Sequence, residues 1–244
     1  MLGSPGARGG RAVTDRATWI RDLRRLNEQQ EFGLADEYDA YWGEIEDTHR
    51  AFIDRFLSLL PPEGRVLDAA CGTGKYVQMV LASGRTPMCV DHTTSYLDKV
   101  AEKRPGVATA QHDLQDLPYV EEFDGVMCVD AMEFLPPEDW PVVLERFRRA
   151  LRPGGWLYLT VELVPEAEVR AGHEAARRAG LPVVEEGEAI WEEPDWYYHF
   201  YPAIDRVRAW LRDVRFTVHE ELEGPWHDGE YAYRHVLARL EPDA

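Results

Sequence analysis

The sequence contains few cysteines. Only 3 of its 244 residues are cysteine, namely Cys71, Cys89 and Cys128. All three fall in or beside predicted core strands, without the spacing of a disulfide framework or a metal site. We therefore interpret them as small apolar fillers in a reduced compartment, and the expected location is the cytoplasm.

Long hydrophobic runs are also missing. No apolar stretch reaches the roughly 18 residues that a membrane-spanning helix requires, and the N-terminus lacks the apolar segment of a secretory signal. These absences predict a soluble protein without a membrane partner. Residues 1–13 are rich in glycine, arginine and serine, and we predict a disordered tail there.

Basic residues are scarce relative to acidic ones. The chain has 27 Lys and Arg against 45 Asp and Glu, which gives a formal net charge of -18 at pH 7. An acidic surface repels phosphate backbones, so nucleic acid is not expected as a partner. The length and the 45% hydrophobic content suit one α/β domain with appendages, while the oligomeric state stays unknown.

What the chain does contain is a glycine-rich segment, RVLDAACGTGKY, at residues 65–76. Its apolar start predicts a buried strand that ends by Ala70, and a helix is predicted after the glycines. Between them, Gly72 and Gly74 permit a sharp turn and a close approach of a ligand to the backbone. A Gly-x-Gly pair alone also suits a structural turn, and Val77 stands where a dinucleotide-binding loop has its third glycine.

In this context the segment resembles the first motif of the class I S-adenosylmethionine-dependent methyltransferases, which has the form hhDhxCGxG, where h is an apolar residue. The resemblance implies S-adenosylmethionine as the cofactor. It also implies an α/β fold with a Rossmann-like seven-stranded mixed sheet, in which six strands are parallel and the last is antiparallel. The motif residues that the resemblance assigns to cofactor binding are Asp68, Ala70, Cys71, Gly72 and Gly74.

Two further acidic positions follow the first motif. The apolar run TPMCVD ends at Asp91, about 20 residues beyond the glycines, where a carboxylate can accept from both ribose hydroxyls and His92 is its neighbour. A helix N-cap is the alternative for Asp91. After a third strand, the resemblance assigns contact with the adenine amine to Asp113 and an apolar contact to Leu114. An aspartate that caps a turn is the alternative there.

A fourth apolar run, at residues 123–135, resembles the strand after which the family's chain passes under the methyl donor. The resemblance places Asp130 beside the cofactor, and Met132 and Glu133 near the reaction centre, with Met132 against the substrate. A Leu-x-Pro-Gly-Gly turn, frequent in the family, then leads into a fifth strand. The resemblance as a whole covers residues 65–161.

Segments before the motifs are predicted to close the site. Residues 14–60 show apolar residues at helical spacing, and we expect a helical lid there. Its aromatic residues Tyr41 and Trp42 are expected to contact the substrate. Residues 61–244 then form the methyltransferase domain.

An insertion is predicted after the fifth strand, at residues 164–202. It contains a helical pattern and then a dense aromatic stretch, which suits the flat apolar wall of a pocket. We expect the insertion to face the substrate, with Tyr198 and Tyr201 in the pocket wall. A packing seam between the insertion and the sheet is the alternative.

The reaction that the resemblance implies is in-line attack of an acceptor atom on the sulfonium methyl, with positioning and, where needed, a base supplied by the enzyme. His199 is the first candidate base, since an imidazole titrates near neutrality, and Glu133 is the second. His49 and His235 are reserves. The Asn/Asp-Pro-Pro-Tyr box that amino-methylating enzymes of DNA and glutamine carry after the fourth strand is missing, and so is an Asp-Asn pair that could join Asp130 in holding Mg²⁺. We predict metal-independent methylation of a small, aromatic or otherwise apolar metabolite.

Three other functions stay open. A protein of this fold could bind S-adenosylmethionine without methyl transfer, as a regulator, and a cyclase or isomerase could use the bound sulfonium as an electrostatic element. A nicotinamide-dependent oxidoreductase would need a closer dinucleotide loop. Turnover to S-adenosylhomocysteine and calorimetry with NAD separate these alternatives.

Overall fold

The computed structural model describes residues 15–32, 35, 37–191, 197–226 and 231–242. The predicted disordered tail at residues 1–13 lies outside the described residues, and so does Trp196 of the aromatic stretch. The α-helices of the described part are α1 (Arg16–Phe32), α2 (Tyr38–Trp42), α3 (Asp47–Leu59), α4 (Val77–Ala82), α5 (Thr94–Lys103), α6 (Asp139–Ala150), α7 (Glu166–Arg178) and α8 (Ile204–Asp213). Within the described ranges, none of these helices has the length and apolar character needed to cross a bilayer.

The strands of the described part come after the first three helices. They are β1 (Arg65–Ala69), β2 (Thr86–Asp91), β3 (Ala108–Gln111), β4 (Phe123–Cys128), β5 (Leu151–Leu163), β6 (Glu188–Trp191), β7 (Tyr197–Phe200), β8 (Phe216–Trp226) and β9 (Tyr231–Leu240). Short 3-10 helices follow β3 at Leu114–Asp116 and β4 at Met132–Phe134.

Seven of these strands form one sheet in the order β3-β2-β1-β4-β5-β9-β8. The pairs among β1 to β5 are parallel. Strand β9 is antiparallel to both of its neighbours, so β8 runs in the direction of the first five strands. The predicted sheet of six parallel strands and one last antiparallel strand is confirmed. Because β1, β2, β4 and β5 end at the same edge, residues that follow them lie close together.

The central strands are covered on both faces, which explains their nearly continuous apolar sequence. In β1, the residues Val66, Leu67 and Ala69 are all fully buried. On one face, a Cβ at Gly125 of β4 would come within 2.6 Å of the Phe56 ring of α3, so this helix packs directly against the strand.

The opposite face is covered by α6. Its buried residues Trp140, Val143, Leu144 and Phe147 recur at intervals of three or four along the helix, as expected for one apolar stripe. They belong to a hydrophobic core cluster that also contains side chains of β4, β5 and β7. The hairpin of β6 and β7 therefore packs on the same side of the sheet as α6.

The insertion consists of α7 and the antiparallel hairpin β6–β7, which the sequence analysis did not anticipate. Glu188 of β6 is fully buried, and its Oε1 accepts the hydroxyl of Tyr198 over 2.7 Å and lies 2.6 Å from Arg16 of α1. Its Oε2 accepts the amides of Val184 and Glu185 over 2.6 and 3.1 Å. Because every carboxylate oxygen is paired, this buried charge ties the insertion to α1.

Candidate functional site

The chain forms a sharp bend at residues 70–74, which we call the glycine bend. Backbone φ is positive at Ala70 (60°), Gly72 (53°) and Gly74 (82°). Glycine adopts this region at little cost, whereas the alanine carries backbone strain of the kind that clusters at functional sites. A Cβ at Gly74 would lie 3.0 Å from a methyl group of Val100, so the bend lies tightly against α5.

Asp91, the last residue of β2, holds the glycine bend in place. Its Oδ2 accepts the amide of Gly72 and its Oδ1 accepts the amide of Thr93, each over 2.9 Å. Thr93, and not Asp91, is the N-cap residue of α5. Asp91 is 5% exposed, so these amides take the place of water around its charge. The structure brings its carboxylate to the bend, while contact with a ribose stays a prediction.

Two other motif side chains are buried next to the bend. Asp68 is 2% exposed, and its Oδ2 has no hydrogen-bond partner in the described part of the chain. Burial, together with the charge of Asp91, raises the pKa of Asp68 to about 7. Such a carboxyl suits a ligand that supplies a donor or a cation. By contrast, a hydrogen bond with Cys89 and burial raise the pKa of the Cys71 thiol, which makes it unreactive.

An open cleft of about 270 Å³ lies at the ends of β2 and β3, lined by His92, Gln111, His112 and Asp113. The structure thus brings together His92 and Asp113, which were both predicted to bind the cofactor. Leu114, by contrast, is 8% exposed and belongs to the hydrophobic core. The adenine contacts of Asp113 and Leu114 stay predictions.

Helix α2 covers the glycine bend from the outside. A Cβ at Gly72 would lie 3.7 Å from the ring of Tyr38, which shows how closely this ring approaches the bend. The carboxylate of Asp39 accepts a hydrogen bond from the Thr73 hydroxyl and another, over 2.6 Å, from Nζ of Lys103. We call Asp39, Thr73 and Lys103 the latch, because they connect α2 to the bend and to α5.

Asp130, two residues after β4, is the centre of a second polar cluster and has a positive φ of 55°. Its Oδ1 lies 3.1 Å from Nε2 of His49 and 3.2 Å from the Thr160 hydroxyl, and its Oδ2 accepts the Tyr76 hydroxyl over 3.3 Å. Burial would raise the pKa of Asp130, but the hydrogen bond and charge of His49 and the charge of Lys75 hold it below its ordinary value. The carboxylate is therefore ionised.

Two further carboxyls are buried toward the insertion. Glu133 is 4% exposed and Glu162, near the end of β5, is 8% exposed. Burial, followed by the charges of Glu162 and Asp130, raises the pKa of Glu133 well above its ordinary value. Burial and the charge of Asp130 raise the pKa of Glu162 to about 7. Within the described ranges, Oε2 of Glu133 has no hydrogen-bond partner. We call Glu133 and Glu162 the acidic pair.

His199 of β7 lies beside the acidic pair. Its Nδ1 is 2.6 Å from the Tyr201 hydroxyl and 3.7 Å from Oε2 of Glu162. Its Nε2 has no hydrogen-bond partner among the residues that the structure describes, and its ring meets the Phe134 ring edge-on at 4.7 Å. Burial lowers the pKa of His199 to about 4, so the ring is neutral at pH 7 and binds a proton less readily than an exposed imidazole. The structure thus brings both candidate bases, His199 and Glu133, to one region.

The other residues predicted to contact substrate occupy different surroundings. Tyr41 and Trp42 are 67% and 40% exposed on α2. Met132 and Tyr198 are fully buried in the hydrophobic core, and the ring of Tyr198 packs edge-on against Trp19 at 5.1 Å. This placement of Tyr198 favours the alternative of a packing seam. Substrate contacts by these four residues stay predictions.

The reserve histidine on β9, His235, is fully buried between the sheet and α3. Its Nδ1 lies 2.8 Å from the Tyr158 hydroxyl, and its ring stacks on Phe52 at 4.9 Å. Burial, with the charge of His49, lowers the pKa of His235 to about 4. These contacts are those of a core histidine. The other reserve, His49, contacts Asp130 and therefore lies nearer to the predicted reaction centre.

Three residues of these clusters, Glu162, Thr160 and Tyr76, were not predicted from the sequence. Glu162 follows a buried run on β5 just as Asp91 follows one on β2, so the same signal would have found it. Thr160 and Tyr76 carry no such signal, because their contacts with Asp130 depend on how the strands and the glycine bend pack together.

Known proteins resemble the chain in both sequence and fold. A family model described as a methyltransferase domain matches residues 66–155. The probable phthiotriol/phenolphthiotriol dimycocerosates methyltransferase 2 of Mycobacterium ulcerans is 32% identical over 122 residues, which cover 48% of this chain and 46% of that protein. The chain therefore spans about half the length of this curated relative.

Solved structures share the fold. A methyltransferase of Methanosarcina mazei matches with a TM-score of 0.66 and 16% identity, over 82% of this chain and 100% of that one. The 1,6-didemethyltoxoflavin-N1-methyltransferase of Burkholderia thailandensis, crystallised with S-adenosylhomocysteine, matches with a TM-score of 0.67 and 17% identity, over 91% of this chain and 90% of that one. Residues 66–155 of the chain thus match a methyltransferase domain, and the described sheet has the Rossmann-like fold of these solved methyltransferases.

Proposed function

We propose that this protein transfers a methyl group from S-adenosylmethionine to a small acceptor. The proposal is carried by one observation, the arrangement of two polar groups of residues at the same edge of the sheet. The first is the glycine bend with Asp68 and Asp91, and the second is the acidic pair with His199. The first suits a nucleoside cofactor, and the second suits an acceptor that must be oriented and deprotonated.

The residues around the glycine bend fit S-adenosylmethionine, which carries a ribose, an adenine, an ammonium group and a sulfonium. Asp68 offers the buried, unpartnered Oδ2 that a cationic ligand would satisfy. We assign the ribose hydroxyls to Asp91, which lies against the glycine bend, and the planar base to the cleft of about 270 Å³ beside His92 and Asp113. When bound, the cofactor supplies an electrophilic methyl group.

The chain's own residues would position the acceptor and take up its proton. Glu162 can accept a proton near neutral pH, because burial and the charge of Asp130 raise its pKa to about 7, and the neutral ring of His199 offers Nε2 as a second acceptor. Asp130 stays ionised and keeps His49 and Thr160 in place. A dry, oriented site of this kind supplies most of the acceleration in a one-step displacement.

We propose that the acceptor is a small metabolite with an apolar or aromatic part and that no metal ion is required. The rings of Phe134 and Tyr201 border the candidate base, and the ring of Tyr38 from α2 lies against the glycine bend. The net charge of -18 does not favour nucleic acid. Residues 14–60 as a lid, residues 164–202 as a substrate-facing insertion and a cytoplasmic location are parts of this proposal.

The test is turnover of S-adenosylmethionine carrying a labelled methyl group against a panel of small acceptors, with S-adenosylhomocysteine and labelled product both measured. We expect His199→Ala and Glu133→Gln to lower turnover by about 100-fold or more, as for loss of a general base. Glu166→Gln, on the exposed face of α7, is the matched control and should leave turnover unchanged. If the protein binds S-adenosylhomocysteine but transfers to no acceptor, a binding-only role replaces this proposal.

A further inference from the structure

We propose that the acceptor is an amine, which binds as an ammonium ion against Glu133 and Glu162 beside the aromatic rings of Phe134 and Tyr201. This inference rests on the proposed function, because it concerns the second substrate of the same site. It goes further by naming the chemical class of the group that is methylated.

The carboxyls of Glu133 and Glu162 have no compensating positive charge in the described part of the chain. Glu133 and Glu162 are both more than nine-tenths buried, and Oε2 of Glu133 has no hydrogen-bond partner within the described ranges. In the same part of the chain, neither glutamate forms an ion pair with a lysine or an arginine. Asp130 differs from these two glutamates, because His49 and the charge of Lys75 lie close to its carboxylate.

Two carboxyls without a counter-ion are costly to bury. Loss of water raises the pKa of each, helped by the charge of Asp130 and, for Glu133, by that of Glu162, and an approaching cation would relieve these effects. A structural role does not explain this arrangement, because structural carboxylates of this protein, such as Glu188, are fully paired. The acidic pair therefore has the electrostatics of a binding site for a positive group.

The position of the acidic pair separates it from the cofactor. Asp68 and Asp91 flank the glycine bend at the ends of β1 and β2. Glu162 lies across the sheet near the end of β5, and His199 of the insertion is 3.7 Å from it. A cation held by the pair would thus lie on the side of the insertion and not against the bend.

The wall of this region suits an amine that carries an apolar part. The Phe134 and His199 rings meet edge-on at 4.7 Å, and the Tyr201 ring lies 5.6 Å from that of His199. Aromatic faces attract cations and pack against apolar groups. The Nε2 of His199, which has no partner among the described residues, adds one further polar contact.

The proposed reaction balances without any additional reactant. An ammonium ion has no lone pair, so it must first give a proton to a carboxylate of the acidic pair. The nitrogen lone pair then forms the new N–C bond to the methyl group of S-adenosylmethionine, while the C–S bond breaks and its electrons stay on sulfur. The products are the methylated amine, protonated at nitrogen, and the neutral thioether S-adenosylhomocysteine.

The experiment compares acceptors that share a carbon skeleton and differ only in amine against hydroxyl: phenethylamine with phenethyl alcohol, benzylamine with benzyl alcohol, and cyclohexylamine with cyclohexanol. We expect labelled methyl transfer to amines and at least about ten-fold less to their alcohols, the discrimination of one charge-assisted contact. Glu133→Gln and Glu162→Gln should each lower kcat/KM for the amine by about 10- to 100-fold. Glu166→Gln is again the matched control.

Three results would overturn the inference. The first is preferred transfer to the alcohols, and the second is transfer to other acceptors of the panel with none to any amine. The third is a Gln variant that keeps its amine preference but loses affinity for S-adenosylmethionine relative to S-adenosylhomocysteine, since the carboxylates would then serve the sulfonium. Transfer to no acceptor at all, or failure to bind S-adenosylhomocysteine, would instead contradict the proposed function. Melting temperatures of both single variants establish that they are folded.

Discussion

The imidazole Nε2 of His49 lies 3.1 Å from Oδ1 of Asp130 and so connects α3 to the residues that follow β4. The His49 ring is fully buried and meets the His235 ring edge-on at 4.5 Å. The contact satisfies a buried carboxylate and fills the space between helix and sheet. It therefore supports the region where the cofactor and the acceptor are proposed to meet.

Replacing His49 should destabilise the protein. His49→Ala removes a donor from the ionised Asp130 and leaves a cavity among packed rings, so we expect a loss on the order of 2 to 4 kcal/mol in the free energy of unfolding. Urea unfolding measures it, and His219→Ala, at an exposed position of β8, is the control. Equal unfolding free energies for the two variants would contradict this account of the His49 contact.

The glycines of the bend should respond differently to alanine. Gly74→Ala combines a positive φ with a Cβ 3.0 Å from Val100, and we expect a loss of about 2 to 3 kcal/mol in stability. Gly72→Ala meets nothing closer than 3.7 Å and should cost only about 1 kcal/mol. Gly84→Ala, at φ 78° in open space, measures the backbone cost alone.

Binding distinguishes these glycine variants further. Because Gly72 lies in the bend and Gly84 does not, we expect Gly72→Ala to weaken binding of S-adenosylhomocysteine and Gly84→Ala to leave it unchanged. The order of stability losses and the split in affinity are both measurable on the same three proteins. A Gly74→Ala variant as stable as Gly84→Ala would show that the bend is looser than the structure indicates.

The acidic pair should lower the stability of the folded protein as pH rises. Folding raises the pKa of Glu162 from 4.5 to about 7, so the folded state binds more protons than the unfolded state between these values. Its contribution to stability therefore falls as pH rises through this window. Glu162→Gln removes the effect, and its stability relative to wild type should increase by about 1 to 3 kcal/mol from pH 4.5 to 7.

Unfolding by urea at several pH values measures this difference. Glu166→Gln, an exposed substitution on α7, should show a difference from wild type that does not vary with pH in this way. The opposite slope for Glu162→Gln would mean that the carboxylate is stabilised by a partner in the folded protein.

The latch predicts a kinetic effect on cofactor release. Asp39→Ala removes the acceptor shared by Thr73 and Lys103, so α2 should separate from the glycine bend more readily. We expect S-adenosylhomocysteine to dissociate about ten-fold faster, which corresponds to about 1.4 kcal/mol. Stopped-flow displacement measures the rate, with Asp98→Ala on the exposed side of α5 as the control. An unchanged rate would show that α2 does not act as a lid.

Much of the fold could be predicted from local sequence. The ends of β1 and β2 were predicted from apolar runs that stop at glycines or at an acidic residue. This signal is clear because strands buried on both faces are nearly continuous in apolar residues. The order of the strands up to β5 followed in the same way. The hairpin β6–β7 was missed, because its aromatic sequence suits a pocket wall and a core strand equally well.

The candidate site was predicted less completely. Asp68 and Asp91 lie at the bend as expected, since strand ends fix their positions. Tyr198 is in the core, where its hydroxyl pairs with Glu188, and no local pattern reveals such a long-range contact. Glu162 was overlooked although its position resembles that of Asp91, because the resemblance gave no role to the end of the fifth strand.

The central claim is that the glycine bend binds the adenosyl cofactor through Asp91. Calorimetry with S-adenosylhomocysteine on wild type, Asp91→Ala and Asp91→Asn tests it most directly. We expect saturable binding at one site in wild type, weaker by about 1.5 to 3 kcal/mol in Asp91→Ala and by less in Asp91→Asn, which keeps one acceptor oxygen. No binding by wild type, tighter binding of NAD, or an unchanged dissociation constant in Asp91→Ala would contradict it.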